Sequence, residues 1–236
     1  GDGAHPYTVY DYTPSRKRDG PAAFLDGYKG YLQADAFGGY DGIYASGDVI
    51  EVACWAHARR KFHDARSTDS NRAHRMLAWI RQLYDIERDA RKLDAEQRRT
   101  LREEKSRPLL DAIKKWFDEQ QTKVLPKSPI GDAVNYALNN WTALTRYLDD
   151  GILDIDNNEA EQALRGIAVG RKNWLFLGSD RGGRAAAAHY TLIQSAKRHG
   201  LDPFAYLRDV LLRIATEPHT DLRELLPDRW KAKLQS

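Results

Sequence analysis

The pattern of apolar and polar positions divides the chain into a part with short apolar runs and a part with long helical stripes. Three early runs, Tyr7–Thr13, Tyr31–Ala34 and Val49–Cys54, are rich in aromatic and β-branched residues, which predicts three strands. Pro21 stands where a short helix would begin, between the first two runs. This alternation of strands and helices predicts an α/β arrangement for the first part of the chain.

Residues 71–149 carry apolar positions at the spacing of helical faces. The pattern predicts three amphipathic helices, of which the second is interrupted at Pro108 and the third extends from Ala133 to Leu148. The aromatic residues along these stripes are expected to lie in a core. We interpret this part of the chain as a helical insertion that packs against the α/β part.

A third region begins at residues 156–158, the tripeptide Asp-Asn-Asn, whose members are all good helix N-caps. The helix that follows is predicted to end at Gly170, before a short apolar strand at Trp174–Leu177. Two further helices are predicted, one at Ala185–His199 and one that begins at Pro203. The tail at 222–230 is expected to pack on the core.

Charge is unevenly distributed, although the whole chain carries a net charge of only +3. Between His57 and Lys127 there are 19 Lys and Arg against 12 Asp and Glu, a surplus of seven, so the rest of the chain has a net charge of −4. Basic side chains are expected to concentrate where a protein meets nucleic-acid phosphates. They are equally typical of a solvated helical surface, and composition alone does not decide between the two.

Cysteine content and hydropathy exclude several classes of protein. Cys54 is the single cysteine, so an intrachain disulfide is excluded and a reducing compartment is indicated. No apolar run approaches the length that spans a membrane, and no signal peptide is recognised. We therefore expect a cytoplasmic protein without a membrane partner. The chain begins Gly-Asp-Gly rather than with methionine, which is typical of a fragment or a processed protein.

Two carboxylates stand at positions suited to chemistry. Asp35 follows a predicted strand and precedes a glycine-rich loop, which is where α/β folds display functional groups. An aspartate that begins a turn has the same surroundings, and Asp41 is a competing candidate. Glu161 lies in the first turn of a predicted helix, where Asn158-x-x-Glu161 has the spacing of a capping box. From the residues alone, a structural and a catalytic role for Glu161 are both open.

A zinc site is the weaker hypothesis. Cys54, His57 and His63 are residue types that bind zinc, but there is one cysteine, the spacing is irregular and there is no second cluster. His57 is also explained as an ordinary histidine at the start of a helix.

Five sequence blocks, in a fixed order, resemble the transposases of the insertion-sequence 66 (IS66) family and cover nearly the whole chain. The first two are YLQADAFGGYDGIY, which begins at Tyr31, and CWAHARRKF, which begins at Cys54. The third runs from Asp156 to Gly183 and contains DNN-x-x-E, GRKNWLF and GSDRGG. SAKRHGLDPFAYLRDVL and LRELLPDRW complete the set.

The resemblance implies an α/β fold with an RNase H-like catalytic core that is incomplete at its N-terminus, a large α-helical insertion and a helical C-terminal tail. In this division the first part of the core is 1–66, the insertion 67–150, the second part of the core 151–200 and the C-terminal helical region 201–236. The family's first catalytic aspartate lies on a strand before the residues of this chain, so we expect a fragment that is inactive alone. Asp11, inside a predicted strand, is expected to be a surface residue.

The resemblance also implies a function, which is metal-dependent DNA strand cleavage and strand transfer at insertion-sequence ends. It makes Asp35 the second catalytic aspartate and Glu161 the last metal-binding carboxylate of a two-metal Mg²⁺ site, in which Mn²⁺ can substitute. We expect the two carboxylates to face one another across a cleft. The alternative, from a different class, is a DNA-binding remnant or accessory protein that does no chemistry.

Partners and contacts follow from the same resemblance. The expected partners are double-stranded DNA, both transposon ends and target, and further copies of the protein in a complex at the bacterial nucleoid. The residues expected to contact DNA phosphates lie near the two chemical blocks and are Arg59, Arg60, Lys61, Arg171 and Lys172. The candidate neighbours of the active site, where His57 would touch DNA or a metal-bound water, are His57, Asn158 and Arg165.

Overall fold

The computed structural model describes residues 6–15, 17–35, 38–174, 178–215 and 219–230. The chain divides into two compact units, one of residues 21–158 and one of residues 1–20 together with 159–236. We call them the central unit and the terminal unit. The division into four parts at 66, 150 and 200 stays a prediction.

The central unit contains two strands and most of the helices. A short helix, α1 (Asp19–Phe24), lies at its N-terminal boundary. Its strands and helices, in chain order, are β1 (Gly30–Gln33), α2 (Asp41–Tyr44), β2 (Val49–Val52), α3 (Trp55–Asp64), α4 (Ser70–Ala90), α5 (Ala95–Leu101), α6 (Arg107–Gln121), α7 (Pro129–Asn139) and α8 (Trp141–Thr145). A π-helical turn, Arg102–Ser106, joins α5 to α6, and 3₁₀ turns follow α3 and α8.

The terminal unit consists of helices and the non-helical N-terminal segment in the part that the structure describes. Its helices are α9 (Asn158–Trp174), which begins at the boundary between the units, α10 (Asp180–Arg198) and α11 (Pro203–Arg213), followed by a 3₁₀ segment at His219–Leu225. A small core holds this unit together, in which Tyr206 and Val210 of α11 pack with Ala196 of α10 and Leu225. The fold as a whole is mostly helical with a small sheet.

The sheet consists of β1 and β2, which pair in parallel with Gly30 opposite Val49 and Gln33 opposite Val52. Parallel pairing requires a crossover, which α2 and its flanking turns supply. Just after β2, the Ala53 amide donates to the Ala143 carbonyl of α8 at 3.0 Å, so the sheet contacts the helical part. Two of the four strands predicted from the sequence, those at Tyr31–Ala34 and Val49–Cys54, are confirmed.

The strand predicted at Tyr7–Thr13 is wrong. This segment lies along α10, where the Thr8 amide donates to Ser195 Oγ at 3.1 Å and the Tyr10 amide donates to Thr191 Oγ1 at 2.9 Å. The two hydroxyls are four residues apart, about 6 Å along a helix, which is close to the ~6.6 Å that two residues of extended chain span. Helix hydroxyls therefore take the place of a neighbouring strand.

Three helix boundaries also differ from prediction. Helix α9 continues past Gly170 to Trp174, so Trp174 does not begin a strand, and residues 175–177 lie outside the described residues. A glycine costs only about 1 kcal/mol in a helix interior, which neighbouring turns can offset. Helix α10 begins at Asp180 rather than Ala185 because Ser179 Oγ accepts from the Gly182 amide at 3.1 Å. The helix predicted at Ala133–Leu148 begins at Pro129 and is divided at Asn140.

The main core lies among α3, α4, α6 and α7, as the aromatic stripes predict. Phe62 of α3 stacks on Phe117 of α6 with ring centroids 5.8 Å apart, and Trp141 meets Phe117 edge-on at 5.9 Å. This core fixes α3 within the helical part, so that its outer face can carry charge without loss of packing. In the parts of the chain that the structure describes, no helix combines the length and apolarity that crossing a membrane requires.

Candidate nucleic-acid interface and carboxylate site

The stretch from Leu153 to Asn158, which we call the motif segment, is bonded to three different parts of the central unit. The Leu153 carbonyl accepts from Arg102 Nη2 at 2.8 Å, the Asp154 carbonyl from Gln33 Nε2 at 2.6 Å and the Ile155 carbonyl from the Trp55 amide at 3.1 Å. The partners belong to the π-helical turn, to β1 and to α3. The backbone before α9 is therefore held in one position relative to the carboxyl end of β1.

Asp156 anchors the end of the motif segment. Its Oδ2 accepts from the Tyr84 hydroxyl at 2.7 Å and from Asn158 Nδ2 at 2.7 Å, and its Oδ1 accepts from the Asn158 amide at 3.0 Å. Burial, followed by the hydrogen bond to Asp156, raises the pKa of the Tyr84 phenol far above its ordinary value. The Asn158 side chain, a predicted neighbour of the active site, thus turns back to Asp156. Sequence reasoning missed Tyr84, because no local pattern links residues 72 positions apart.

Asp35 is exposed and follows β1 by two residues. After the effect of burial, its charge raises the pKa of Tyr40, of Tyr44 on α2 and of Tyr136 on α7. The competing candidate, Asp41, also raises the pKa of Tyr44. Both carboxylates therefore lie beside the same group of phenols, on the side of the sheet where β1 ends.

Glu161 is exposed in the first turn of α9, and Arg165 is exposed one turn later. Its neighbour Glu159 forms an ion pair with Arg198 of α10, within the terminal unit. Asp35 belongs to the central unit and Glu161 to the terminal unit. That the two carboxylates converge across a cleft stays a prediction.

Three basic residues of α3, like several on the other helices, have no carboxylate partner in the described part of the chain. Arg59, Arg60 and Lys61 are exposed, and within the described ranges none of them forms an ion pair. By contrast, Arg107 pairs with Glu103 at 2.6 Å and Lys114 with Asp118 at 2.6 Å, each one turn apart on its helix. Paired charges cancel at a distance. The charges of Arg59, Arg60 and Lys61 are therefore not cancelled by a neighbouring carboxylate and contribute a positive field at α3.

Two tyrosines lie at the flanks of α3. The Lys61 ammonium lies 4.8 Å from the centre of the Tyr136 ring. Burial and nearby charges, among them that of Asp35, raise the pKa of Tyr136. The charge of Arg59 acts on Tyr84, which holds Asp156. The charges of α3 thus act on one tyrosine that the charge of Asp35 also affects and on the tyrosine that holds the motif segment, all within the central unit.

The candidate zinc ligands do not form a cluster in the described part of the structure. Cys54 is buried at the N-cap of α3, and burial raises the pKa of its thiol, partly offset by the amides of Asn157 and His57. His63 lies on the outer face of α3, where it contacts Asp64 and Arg66. Among the residues that the structure describes, no three His, Cys, Asp or Glu side chains come together.

Single residues of the two units carry oxygen atoms of the kind that a hard divalent cation binds. Asp35 and Glu161 offer exposed carboxylates, and Asn157 Oδ1 is buried without a hydrogen-bond partner in the described part of the chain. Carboxylate and amide oxygens are the ligands that Mg²⁺ prefers. Asp156, in contrast, already accepts three hydrogen bonds and is better suited to anchoring than to binding metal.

Arg171 and Lys172, the other two predicted phosphate contacts, belong to the last turns of α9. Their side chains lie outside the described part of the structure, so their predicted contact with DNA is untested.

Comparison with known proteins gives matches along nearly all of the chain. The model of the family described as "Transposase IS66 family" matches residues 1–185, and that of the "IS66 C-terminal element" matches residues 191–227. Three curated relatives from Sinorhizobium fredii (strain NBRC 101917 / NGR234), the uncharacterized proteins y4hP, y4jD and y4qI, are 36%, 35% and 36% identical to the chain over 98%, 97% and 98% of its length. The chain spans only 45%, 47% and 44% of those relatives. No solved structure matches.

Proposed function

The chain belongs to the IS66 family of transposases, and from this we propose that it forms part of a DDE-type DNA transposase that cleaves and joins DNA at insertion-sequence ends. The observation that carries the proposal beyond family membership is the exposed, ion-pair-free row of α3 beside Asp35. Double-stranded DNA is the proposed partner of this surface.

Binding of DNA by α3 is supported by charge and by rigidity. Arg59, Arg60 and Lys61 present three cations on a helix whose other face is locked in the core by Trp55 and Phe62. Cations on a rigid helix can release counterions from the DNA backbone without a folding step, although their side chains are flexible. This contact is independent of base sequence, and it would place a phosphate near the end of β1.

An RNase H-like core is supported by the parallel pair of strands and by the position of Asp35 after β1. In open α/β sheets, functional groups collect at the carboxyl ends of the strands. We propose Asp35 and Glu161 as the metal-binding carboxylates. Bound Mg²⁺ or Mn²⁺ would supply activation of the attacking oxygen and stabilisation of the leaving oxygen.

The residues of this chain would prepare that chemistry. Gln33 and Tyr84 would hold the motif segment in place. The cations of α3 would bind the DNA phosphate backbone, and the two carboxylates would supply oxygen ligands. Two-metal sites normally use a further carboxylate that bridges the ions, and none is assigned among these residues. We therefore propose that the 236-residue chain alone binds DNA but does not cut it.

The test is Mg²⁺- or Mn²⁺-dependent nicking of supercoiled DNA. The chain alone is compared with a chimera in which it replaces the matching part of y4hP, each with and without Asp35→Ala or Glu161→Gln. We expect nicking by the chimera and its loss in both variants. Nicking by the chain alone that vanishes in Asp35→Ala would show that a third carboxylate lies within it, and Asp11 would be the next residue to replace.

A second outcome would favour the other candidate function. If the chimera binds DNA with a steep salt dependence yet never nicks it in either metal, the protein is a DNA-binding remnant or accessory factor. The row of unpaired cations on α3 fits that function equally well.

A further inference from the structure

Tyr136 lies at the flank of the basic helix but has no role in the site described so far. Its ring packs under Lys61, with the ammonium 4.8 Å from the ring centre. It belongs to α7, whose Ala133, Val134 and Ala137 are buried in the core, and its own ring packs against the same core. The ring therefore cannot move far without disturbing α7.

The hydroxyl of Tyr136 is a donor that lacks a protein acceptor. Within the described ranges it makes no hydrogen bond, although the residue is half-buried. The hydroxyl is not sequestered from solvent, so it can donate to water or to an acceptor that binds at this surface. Burial, then the charges of Cys54, Asp35 and Glu51, raise the pKa of Tyr136 to about 12, so the phenol keeps its proton at neutral pH.

We propose that Tyr136 is a DNA-binding residue, whose hydroxyl donates a hydrogen bond to the backbone phosphate that Lys61 attracts. The proposal rests on the proposed DNA binding of α3. Phosphate oxygens accept hydrogen bonds and carry the charge that an ammonium seeks, and neutral hydroxyls commonly contact them. A rigid donor and a flexible cation on adjacent helices would fix the position of one phosphate beside Asp35.

The two residues make different kinds of contact, which an experiment can separate. Affinity for a short labelled duplex of arbitrary sequence is measured over a range of salt concentrations for the full chain, for Tyr136→Phe and for Lys61→Met. Tyr136→Phe keeps the ring under Lys61 and removes only the hydroxyl, so affinity should fall about tenfold, as for a hydrogen bond to a charged acceptor, with the salt slope unchanged. Lys61→Met should lower the salt slope by about one unit.

Tyr147→Phe is the matched control. It removes a phenol hydroxyl from the same unit, but Tyr147 is 1% exposed and cannot touch DNA. Its affinity should equal that of the parent chain. Circular dichroism on all variants reports whether each keeps the helical content of the parent.

A second measurement needs no variant. Nitration of tyrosines in the parent chain, read by mass spectrometry, should be suppressed by DNA at Tyr136 and unchanged at Tyr28, which is 42% exposed and serves as the reference. Parent-like affinity of Tyr136→Phe beside a weakened Lys61→Met, or nitration of Tyr136 that DNA does not suppress, would overturn the assignment of Tyr136 and leave DNA binding by α3 standing. A parent chain with no measurable affinity for DNA would remove both proposals together.

Discussion

Replacing Arg102 with methionine should destabilise the central unit severely. The Arg102 side chain is fully buried, and its guanidinium makes five hydrogen bonds. Two of them form a bidentate pair with Glu87, at 2.8 and 2.7 Å. The other three satisfy the carbonyls of Tyr147, Asp150 and Leu153. Methionine fills most of the volume but supplies no donor.

The size of the effect follows from what is left behind. Glu87 is only 12% exposed, so its carboxylate would remain nearly desolvated and unpaired. Breaking a buried pair from one side costs about 3–5 kcal/mol, and the stranded carbonyls contribute to the same penalty. With a urea dependence of about 2 kcal/mol per molar, the unfolding midpoint should fall by ~2 M.

Urea unfolding followed by tryptophan fluorescence measures this loss, because Trp55, Trp116 and Trp141 lie in or against the core of the same unit. The double variant Arg102→Met with Glu87→Leu removes the stranded charge and should recover part of the loss. A single variant within about 1 kcal/mol of the parent would refute the reasoning, since no buried pair of this geometry should be dispensable.

Three further predictions concern local structure. Tyr84→Phe should cost about 1–3 kcal/mol in urea unfolding, because the Asp156 carboxylate loses one of its three donors; an unchanged midpoint would mean that water replaces the phenol fully. Gly151→Ala should destabilise by more than about 1 kcal/mol, since a Cβ would overlap the Ala95 carbonyl oxygen. Gly166→Ala, in open space on α9, should instead stabilise by about 0.4–1 kcal/mol. Urea unfolding measures both, and a change of the same sign in the two variants would contradict the reasoning. Asp69 caps α4, and its bonds with Arg72 outweigh the opposing effect of burial and lower its pKa. Because its pKa is lowered, ionised Asp69 stabilises the fold at pH values above its unfolded-state pKa near 4, and this stabilisation is lost as the pH falls through the folded-state pKa. Asp69→Asn should therefore flatten the loss of stability below about pH 4.

The sequence predicts those parts of the fold that depend on local pattern. Residue type predicts the strands at Tyr31–Ala34 and Val49–Cys54, and both are present, the first shifted by one residue and the second two residues shorter. Tyr7–Thr13 has the same composition but meets Thr191 and Ser195, and no local pattern reveals that a helix will supply its acceptors.

Helix ends were predicted less well. Gly170 is a good helix terminator in isolation, yet α9 continues for another turn. At Ser179 the error has the opposite sign, since the helix predicted from Ala185 begins at Asp180, where the Ser179 side chain caps it.

Individual residues of the candidate site could be predicted from the sequence, but the contacts that hold them in place could not. Asp35, Arg59, Arg60 and Lys61 were named from motif and charge, and the structure places them on one unit. The residues that hold the site together were not, because Gln33, Tyr84 and Arg102 act over separations of 121, 72 and 51 positions. A neutral glutamine or a buried arginine carries no sequence signal of such a role.

The bonds of the motif segment also bear on how the protein is made. Every partner described for Leu153 to Asp156, apart from Asn158, is synthesised before the segment itself, so these contacts can form only when the last residues of the central unit leave the ribosome. Contacts that close such long loops are slow to form and come after local helices. A nascent or truncated chain that stops before Leu153 would carry the cations of α3 without a fixed start for α9. Such a chain could hold DNA electrostatically before Glu161 has been synthesised, so binding could precede chemistry in time.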